Sequence, residues 1–283
     1  MFWFTKKKPS KTYQAADSVL EPTALVVNFD SKICSSKLQS MLNMTESFGG
    51  IDGYIKALNQ KHAVFADSFS VKSPSCLSRT QVKSLLALVY NELDVLPNIL
   101  KTIPDNLLQT QIWHLIHGNA DISSRMNQFV QFIHAEEGKV NRAAWDFAAE
   151  ILHFTYPEKY PLMSNWVWNQ KTQIGALREF VGEPVNHIDA AIGSTPSDFE
   201  AARVWLAEQL GQQGFYRDIH YLIDLLLAQA YSDYLLTIPN KLSLFDPDVK
   251  QREINSVDII VKLLGIDHPV KREQAKRIPV VVH

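Results

Sequence analysis

The sequence predicts a mainly α-helical protein: a multi-helix bundle-like domain with an irregular N-terminal arm. From Ser78 onward, apolar residues recur at steps of three and four in about six or seven segments, which is typical of amphipathic helices. No unit repeats with the period of roughly 20–50 residues that marks a solenoid. Short connections between the segments favour a bundle. Several prolines interrupt or bracket the pattern: Pro97, Pro104, Pro157, Pro161 and Pro239.

Residues 1–77 differ from the rest and are expected to form the N-terminal arm or a small mixed subdomain. Residues 1–75 contain nine lysines, no arginine and six acidic residues. The runs 24–29 and 63–65 contain the residue types that favour strands. Residues 48–58 place apolar side chains on one face of a short helix.

Residues 78–270 are predicted to form the helical core domain. Most of its helices are expected to begin near residues that can cap a helix N-terminus. The expected starts are at Ser78 or Thr80, Asp105, Ser123 or Ser124, Asn141, Thr195 or Ser197, Phe215 and Asp248. Gly118 and Gly265 are expected to end two of the helices, Gly118 in a left-handed conformation.

Residues 271–283 form a basic tail that ends in a β-branched run. The run 278–282 suits an edge strand, and Val26 and Val27 are its candidate pairing partners. The basic side chains of the tail suit either a solvated helix face or contact with nucleic-acid phosphates. They are Lys271, Arg272, Lys276 and Arg277. The formal charge of −2 thus conceals two basic chain ends around an acidic middle.

Cysteine usage and the N-terminus favour a cytoplasmic protein. Cys34 and Cys76 are too few for a disulfide scaffold or a thiolate zinc finger, so we expect two reduced thiols, with one disulfide as the alternative. The apolar residues 1–4 precede three lysines, which is the reverse of the order in a signal peptide. No transmembrane segment is predicted, because the most apolar window, Tyr221–Leu236, falls short of the roughly 20 residues needed.

The motifs of the common cofactor enzymes are absent. The sequence has no Walker loop, no dinucleotide-binding glycine fingerprint, no Gly-x-Ser-x-Gly elbow and no His-Glu-x-x-His helix. With only 11 glycines, a glycine-lined phosphate cradle is not expected. We therefore expect no cofactor and favour a non-enzymatic protein.

Four residues are the candidate ligands of a metal site. His114 and His117 stand one helical turn apart, and Glu150 and His153 form a Glu-x-x-His step. A di-iron bundle needs two such steps and two further carboxylates, whereas this chain supplies one step. A mononuclear site from these residues stays a hypothesis. The alternative for the first two is a helix end, where a cation suits the helix dipole.

The most unusual stretch is the aromatic corner, residues 153–169, which contains two prolines. Its large side chains suit the protein core, a protein interface or stacking on the bases of a nucleic acid. The residues concerned are Tyr156, Tyr160, Trp166 and Trp168, with Lys171 and Arg178 as nearby cations.

These observations rank three functions. The first is a non-enzymatic helical scaffold or adaptor, a subunit of a larger bacterial or phage-like protein assembly, which binds protein partners through the aromatic corner and the chain termini. The second is a nucleic-acid-associated accessory protein of the defence or mobile-element type. The third is a metal-dependent helical enzyme.

Overall fold

The computed structural model describes residues 20–25, 27–46, 50–69, 78–89, 95–133, 138–182, 192–238 and 255–266. Within these residues the fold is mainly α, as the sequence predicts, and β pairing is limited to two isolated bridges, Phe29 with Val181 and Asn169 with Ile174. The α-helices are α1 (Ser31–Glu46), α2 (Ile51–Phe69), α3 (Arg79–Leu86), α4 (Val95–Leu100), α5 (Asp105–His117), α6 (Ile122–Phe132), α7 (Lys139–Thr155), α8 (Pro196–Gln212), α9 (Ile219–Thr237) and α10 (Ser256–Leu264). A 3₁₀ helix spans Ala176–Phe180.

Two buried helices, α7 and α9, organise the packing. Helix α7 contacts α2, α4, α5 and α6, and α9 contacts α1, α2, α8, α10 and the 3₁₀ helix. Every residue of α9 from Tyr221 to Ala230 is buried. A helix that is apolar on all sides must be surrounded by other elements, and this explains the central place of α9.

The N-terminal region is more regular than expected. Residues 31–46 and 51–69 are two α-helices, although residues 1–77 were expected to be irregular or mixed. In α1, Cys34, Leu38 and Met41 are buried at helical spacing, between serines and lysines that reduce the apolar signal. The Asp30 carboxylate caps this helix by accepting hydrogen bonds from the backbone amides of residues 32 and 33.

The strand-favouring run 63–65 lies inside α2, so that expectation is wrong. Tyr54, Leu58 and Phe65 are all buried on one face of this helix. Tertiary packing of this face outweighs the local preference of a short β-branched and aromatic run. Lys61, on the same buried face, interrupts the apolar pattern that would have extended the predicted short helix.

Caps read from the sequence correspond to two observed helix starts. Ser78 and Gln81 form a capping box at α3, with the Ser78 amide donating to the Gln81 side chain and the Gln81 amide donating to Ser78 Oγ. At α8 the cap is Thr195, one of the two expected residues, in a box with Asp198. Helix α6 instead begins after Asp121, whose side chain accepts from the amide of Ser124.

Glycines end two helices in different ways. Gly265 ends α10, as expected, and is left-handed (φ 58°). Gly118 (φ −64°) is extended, so the expected left-handed cap is wrong. A Cβ at Gly118 would lie 2.4 Å from the His114 carbonyl oxygen and 3.1 Å from Arg125 Cδ. Glycine is needed here chiefly because of the His114 carbonyl; Arg125 also passes closely, since it donates to the last carbonyls of α5, those of Leu115 and Ile116.

Some expectations fall outside the described residues. These include both proposed domain boundaries, the basic tail with the run 278–282, Val26, and Cys76. Cys34 is a buried free thiol, and burial raises its pKa to about 12. In the described part of the chain, no helix combines the length and apolar character needed to cross a bilayer.

Candidate functional site

The aromatic corner lies largely in the protein interior. Tyr160, Trp166 and Trp168 are 6%, 3% and 2% exposed. Of the three readings of this stretch, the structure places these rings in the core, where they have no free face for a base or a partner. Tyr156 is half-buried and lies beneath the Lys159 ammonium, which is 5.0 Å from its ring centroid.

Hydrogen bonds from neighbouring elements hold the corner in place. The Trp168 indole donates to the carbonyl of Ile192 at 3.2 Å. The Asp146 carboxylate of α7 accepts from the backbone and side-chain amides of Asn165, at 2.6 and 3.0 Å. Gly175 leaves room for the returning chain, because a Cβ there would lie 2.6 Å from Trp168 Cα. The corner is therefore a packed structural unit.

The expected cations do not gather around the corner rings. Lys171 is exposed in the turn closed by the Asn169–Ile174 bridge, and Arg178 is half-buried in the 3₁₀ helix. The remaining expected contacts belong to the basic tail, which lies outside the described residues: Lys271, Arg272, Lys276 and Arg277.

The structure does not bring the four metal candidates together as a metal site. The His117 side chain donates through Nε2 to the Phe69 carbonyl at 3.3 Å, and His114 is exposed. Glu150 pairs with Lys61, and both ring nitrogens of His153 have partners. Across the described residues, no group of three or more His, Cys, Asp or Glu side chains is arranged to hold a metal ion.

His153 instead forms a buried pair with Asp224 that joins α7 to α9. Its Nδ1 lies 2.8 Å from the Tyr160 carbonyl oxygen, and its Nε2 lies 2.8 Å from Asp224 Oδ2. A carbonyl oxygen only accepts, so Nδ1 carries a proton and donates. A proton must also lie between Nε2 and Oδ2, on either atom. The pair is neutral overall in both arrangements.

A second buried ion pair lies on the neighbouring helices α2 and α7. Lys61 Nζ donates to Glu150 Oε2 at 2.7 Å and to the Leu264 carbonyl oxygen at 2.8 Å. Both charged side chains are fully buried. Burial lowers the pKa of Lys61, and the charge of Glu150 opposes that shift.

Next to the His153–Asp224 pair lies a small cleft, part of it open to solvent, with room for about one water molecule. Helices α7, α8 and α9 and the end of the aromatic corner form its walls. Its polar lining consists of His153, Asp224, Arg203 and His220. The rest of the lining is apolar, including Leu162, Val167, Phe199, Leu206, Ile223 and Leu227.

Arg203 is the buried cation of this cleft and is 3% exposed. Its Nη1 donates to the Pro157 carbonyl at 3.0 Å, and its Nη2 lies 2.7 Å from Glu200 Oε2, one helical turn earlier. The Nε atom has no hydrogen-bond partner among the described protein atoms, and the Nη2 contact lacks hydrogen-bond geometry. One edge of the guanidinium therefore has unused donors.

His220 lines the same cleft, four residues before Asp224 on α9. Burial lowers the pKa of His220 to about 4, although the charge of Asp224 opposes that shift. The imidazole is therefore neutral near pH 7.

The loop that precedes α9 carries the most exposed large apolar side chain of the described residues. Tyr216 is 77% exposed, and its neighbour Arg217 is also exposed. This loop occupies residues 213–218, and its last four residues stand where the sequence predicted the first turn of the longest helix. The helix begins only at Ile219, after Asp218 adopts a left-handed conformation (φ 51°).

Arg203, His220 and the Tyr216 loop were not singled out by sequence reasoning. One signal was available for Asp224, the only Asp, Glu, Lys or Arg of α9 before Asp233. An isolated carboxylate in an apolar helix indicates a buried, partnered charge. No comparable signal marks Tyr216, because its exposure depends on where the flanking helices end.

No protein-family model, curated protein or solved structure matches this chain.

Proposed function

We propose that the chain is a non-enzymatic helical adaptor that binds a protein partner through the loop 213–218 between α8 and α9. The observation that carries this proposal is the 77% exposure of Tyr216 on a loop with a fixed backbone. The loop replaces the aromatic corner as the docking element, because the indole rings and Tyr160 of the corner are buried.

The backbone of the loop is held by the end of α8. The amide of Phe215 donates to the Leu210 carbonyl at 3.0 Å, and the amide of Gly214 (φ 93°) donates to the Gly211 carbonyl at 3.1 Å. These two bonds form a Schellman motif, in which glycine supplies the left-handed residue. Tyr216 follows this motif directly, so its ring is presented with little backbone freedom to lose on binding.

The side chains of the loop are of the type that dominates protein interfaces. Tyrosine and arginine are enriched among residues that contribute most to binding free energy. A tyrosine offers a large contact area and loses little conformational entropy when it is immobilised. Tyr216 and Arg217 stand side by side in this loop and are both exposed.

The proposal is tested by comparing the proteins that co-purify with tagged wild-type chain and with Tyr216→Ala and Arg217→Ala. Leu107→Ala is the matched control, because Leu107 is a 47% exposed apolar residue on a different helix, α5. A partner that docks on the loop is expected to fall about tenfold or more with Tyr216→Ala and to be retained by the control.

Two results would contradict the docking role. One is a wild-type chain that recovers no partner from its native lysate. The other is a partner whose recovery is the same from Tyr216→Ala, Arg217→Ala and wild type.

The nucleic-acid alternative depended on the aromatic corner and the basic tail. The indole rings of the corner are buried and the tail lies outside the described residues, so no described contact favours it. Membership of a larger bacterial or phage-like assembly and a cytoplasmic location stay predictions.

A further inference from the structure

The loop 213–218, called the docking loop below, carries a charge that indicates the chemistry of its partner. Arg217 is exposed and is the only lysine or arginine between Arg203 and the end of α9. Within the part of the chain that the structure describes, it takes part in no ion pair. A guanidinium has only donors, in a planar fork that matches a carboxylate. Arg217 is therefore available to a carboxylate from outside the chain.

The ring of Tyr216, next to Arg217, has one edge against α8 and most of its surface free. A Cβ at Gly211 would lie 3.7 Å from Tyr216 Cε1, an ordinary contact distance, so this edge of the ring lies close to the helix. Because Tyr216 is 77% exposed, a partner can cover the rest of the ring. An apolar side chain suits this surface, since burial of apolar area favours association.

The two acids that flank Arg217 in the chain favour a single carboxylate over a polyanion. Asp218 stands at the N-terminus of α9, where the positive end of the helix dipole offsets its charge. Glu208 is exposed and lies four residues before the end of α8. A nucleic-acid backbone binds where several cations replace its counterions. One arginine between two acids fits a single carboxylate better than a row of phosphates.

From these contacts we propose that the partner presents an acidic peptide segment to the docking loop, with an Asp or Glu on Arg217 and an adjacent apolar side chain on the ring of Tyr216. This proposal rests on the proposed function, because it concerns the partner of the same loop. The exposed ion pair contributes little binding free energy and mainly selects the partner, whereas the apolar contact supplies most of the affinity.

The probe is a phage-displayed library of random peptides, selected on the immobilised full-length chain. Peptides that bind the wild type but not Tyr216→Ala are kept as loop-dependent. Leu107→Ala is the matched control, because it removes an exposed apolar side chain from a different helix and is expected to bind every peptide of this set. We expect the loop-dependent peptides to be enriched in Asp and Glu beside apolar residues, relative to the unselected library.

A charge exchange then tests the ion pair itself. The tightest loop-dependent peptide is synthesised as selected, with its acids changed to amides, and with one acid changed to lysine, and binding is measured by fluorescence polarisation. The amide form is expected to bind the wild type about fivefold more weakly, and high salt to reduce this difference. Arg217→Glu is expected to bind the selected peptide about tenfold more weakly and to regain affinity with the lysine form. Circular dichroism of each variant checks its folding.

The outcomes separate the acidic partner from the docking role. Loop-dependent peptides without an excess of acids, or equal affinity of the selected peptide for Arg217→Glu and wild type, would overturn the acidic partner and leave the docking role standing. A selection in which no peptide depends on Tyr216 would overturn both. A single-stranded oligonucleotide that binds the wild type but not Arg217→Glu would make the loop a nucleic-acid contact instead.

Discussion

The Lys61 ammonium lies 2.7 Å from Glu150 Oε2, and both side chains are buried on facing sides of α2 and α7. The same Nζ donates to the carbonyl of Leu264 at 2.8 Å, so α10 is joined to the pair. It also lies 3.7 Å from the centroid of the Phe154 ring. Three helices thus meet at one cation, which donates two hydrogen bonds and lies over the face of an aromatic ring.

Removing one partner of this pair is expected to destabilise the fold strongly. Lys61→Met leaves the Glu150 carboxylate buried without its cation and is expected to lower the free energy of unfolding by about 3–5 kcal/mol. The measurement is urea unfolding followed by circular dichroism. Lys37→Met is the less buried control: Lys37 pairs with Asp233 at 2.9 Å, both side chains are partly exposed, and its loss is expected to cost about 1 kcal/mol.

Replacing both partners of the buried pair distinguishes the cost of an unpaired buried charge from the cost of losing the ion pair itself. The double variant Lys61→Met with Glu150→Met is expected to be more stable than Lys61→Met alone, because no unpaired charge remains in the core. Equal stability of the single and double variants would mean that Glu150 finds adequate compensation without Lys61.

The His153–Asp224 contact is expected to tolerate an amide but not a truncation. In Asp224→Asn, the side-chain NH₂ can donate to Nε2 while Nδ1–H still donates to the Tyr160 carbonyl. We expect Asp224→Asn to cost about 1 kcal/mol and Asp224→Ala about 3 kcal/mol or more. Urea unfolding compares the two, and the imidazole ¹⁵N shifts of His153 in Asp224→Asn report a neutral ring protonated at Nδ1. A larger loss for Asn than for Ala would contradict this geometry.

His220 is expected to make the fold sensitive to acid. Burial lowers the pKa of His220 from 6.5 to about 4 in the folded state, so the unfolded chain binds a proton at higher pH than the folded one. The free energy of unfolding therefore falls as the pH drops from 6.5 towards 4, by up to about 3 kcal/mol. Above pH 6.5 His220 is neutral in both states and causes no loss of stability.

The pH dependence is measured by urea unfolding between these pH values. His220→Asn is expected to flatten it, because the substituted residue does not titrate. His114→Asn, at an exposed histidine of α5, is the matched control and is expected to leave the dependence largely intact. An unchanged slope in His220→Asn would show that other groups cause the acid sensitivity.

We expect stability to depend on the buried rings of the aromatic corner and hardly at all on the exposed turn that follows it. Trp168→Ala removes a buried indole and its bond to the Ile192 carbonyl, and is expected to cost about 3–5 kcal/mol. Lys171→Ala, in the exposed turn that follows, is expected to change stability by less than about 0.5 kcal/mol. Similar losses for the two variants, measured by thermal unfolding, would contradict the buried position of the indole.

The fold class was accessible from local patterns because helix periodicity and caps are local properties. The Thr195–Asp198 box illustrates this, since its residues and spacing are visible in the sequence. Helix α1 was missed because its buried stripe runs between serines and lysines. Helix α2 was recognised only in part because Lys61 interrupts its apolar face, and the partner that makes this burial tolerable is 89 positions away.

The candidate sites were less accessible because they depend on distant contacts. The burial of Trp166 and Trp168 follows from packing against elements that come later in the chain, such as Tyr231 of α9 and the Ile192 segment. Whether the donors of Arg203 find acceptors depends on the positions of Glu200 and of the neighbouring carbonyls in the fold. Residue type alone therefore left the core, a protein interface and base stacking open for these rings, and only the fold shows that they lie in the core.

Site-specific photo-crosslinking at position 216 tests the docking loop most directly. A benzophenone amino acid replaces Tyr216 in one protein and, as control, Leu107 in another, and both are irradiated in the native lysate. Docking at the loop predicts one dominant crosslinked partner from position 216 and none of it from position 107. The same crosslinks from both positions, or none from position 216, would contradict a docking role for this loop.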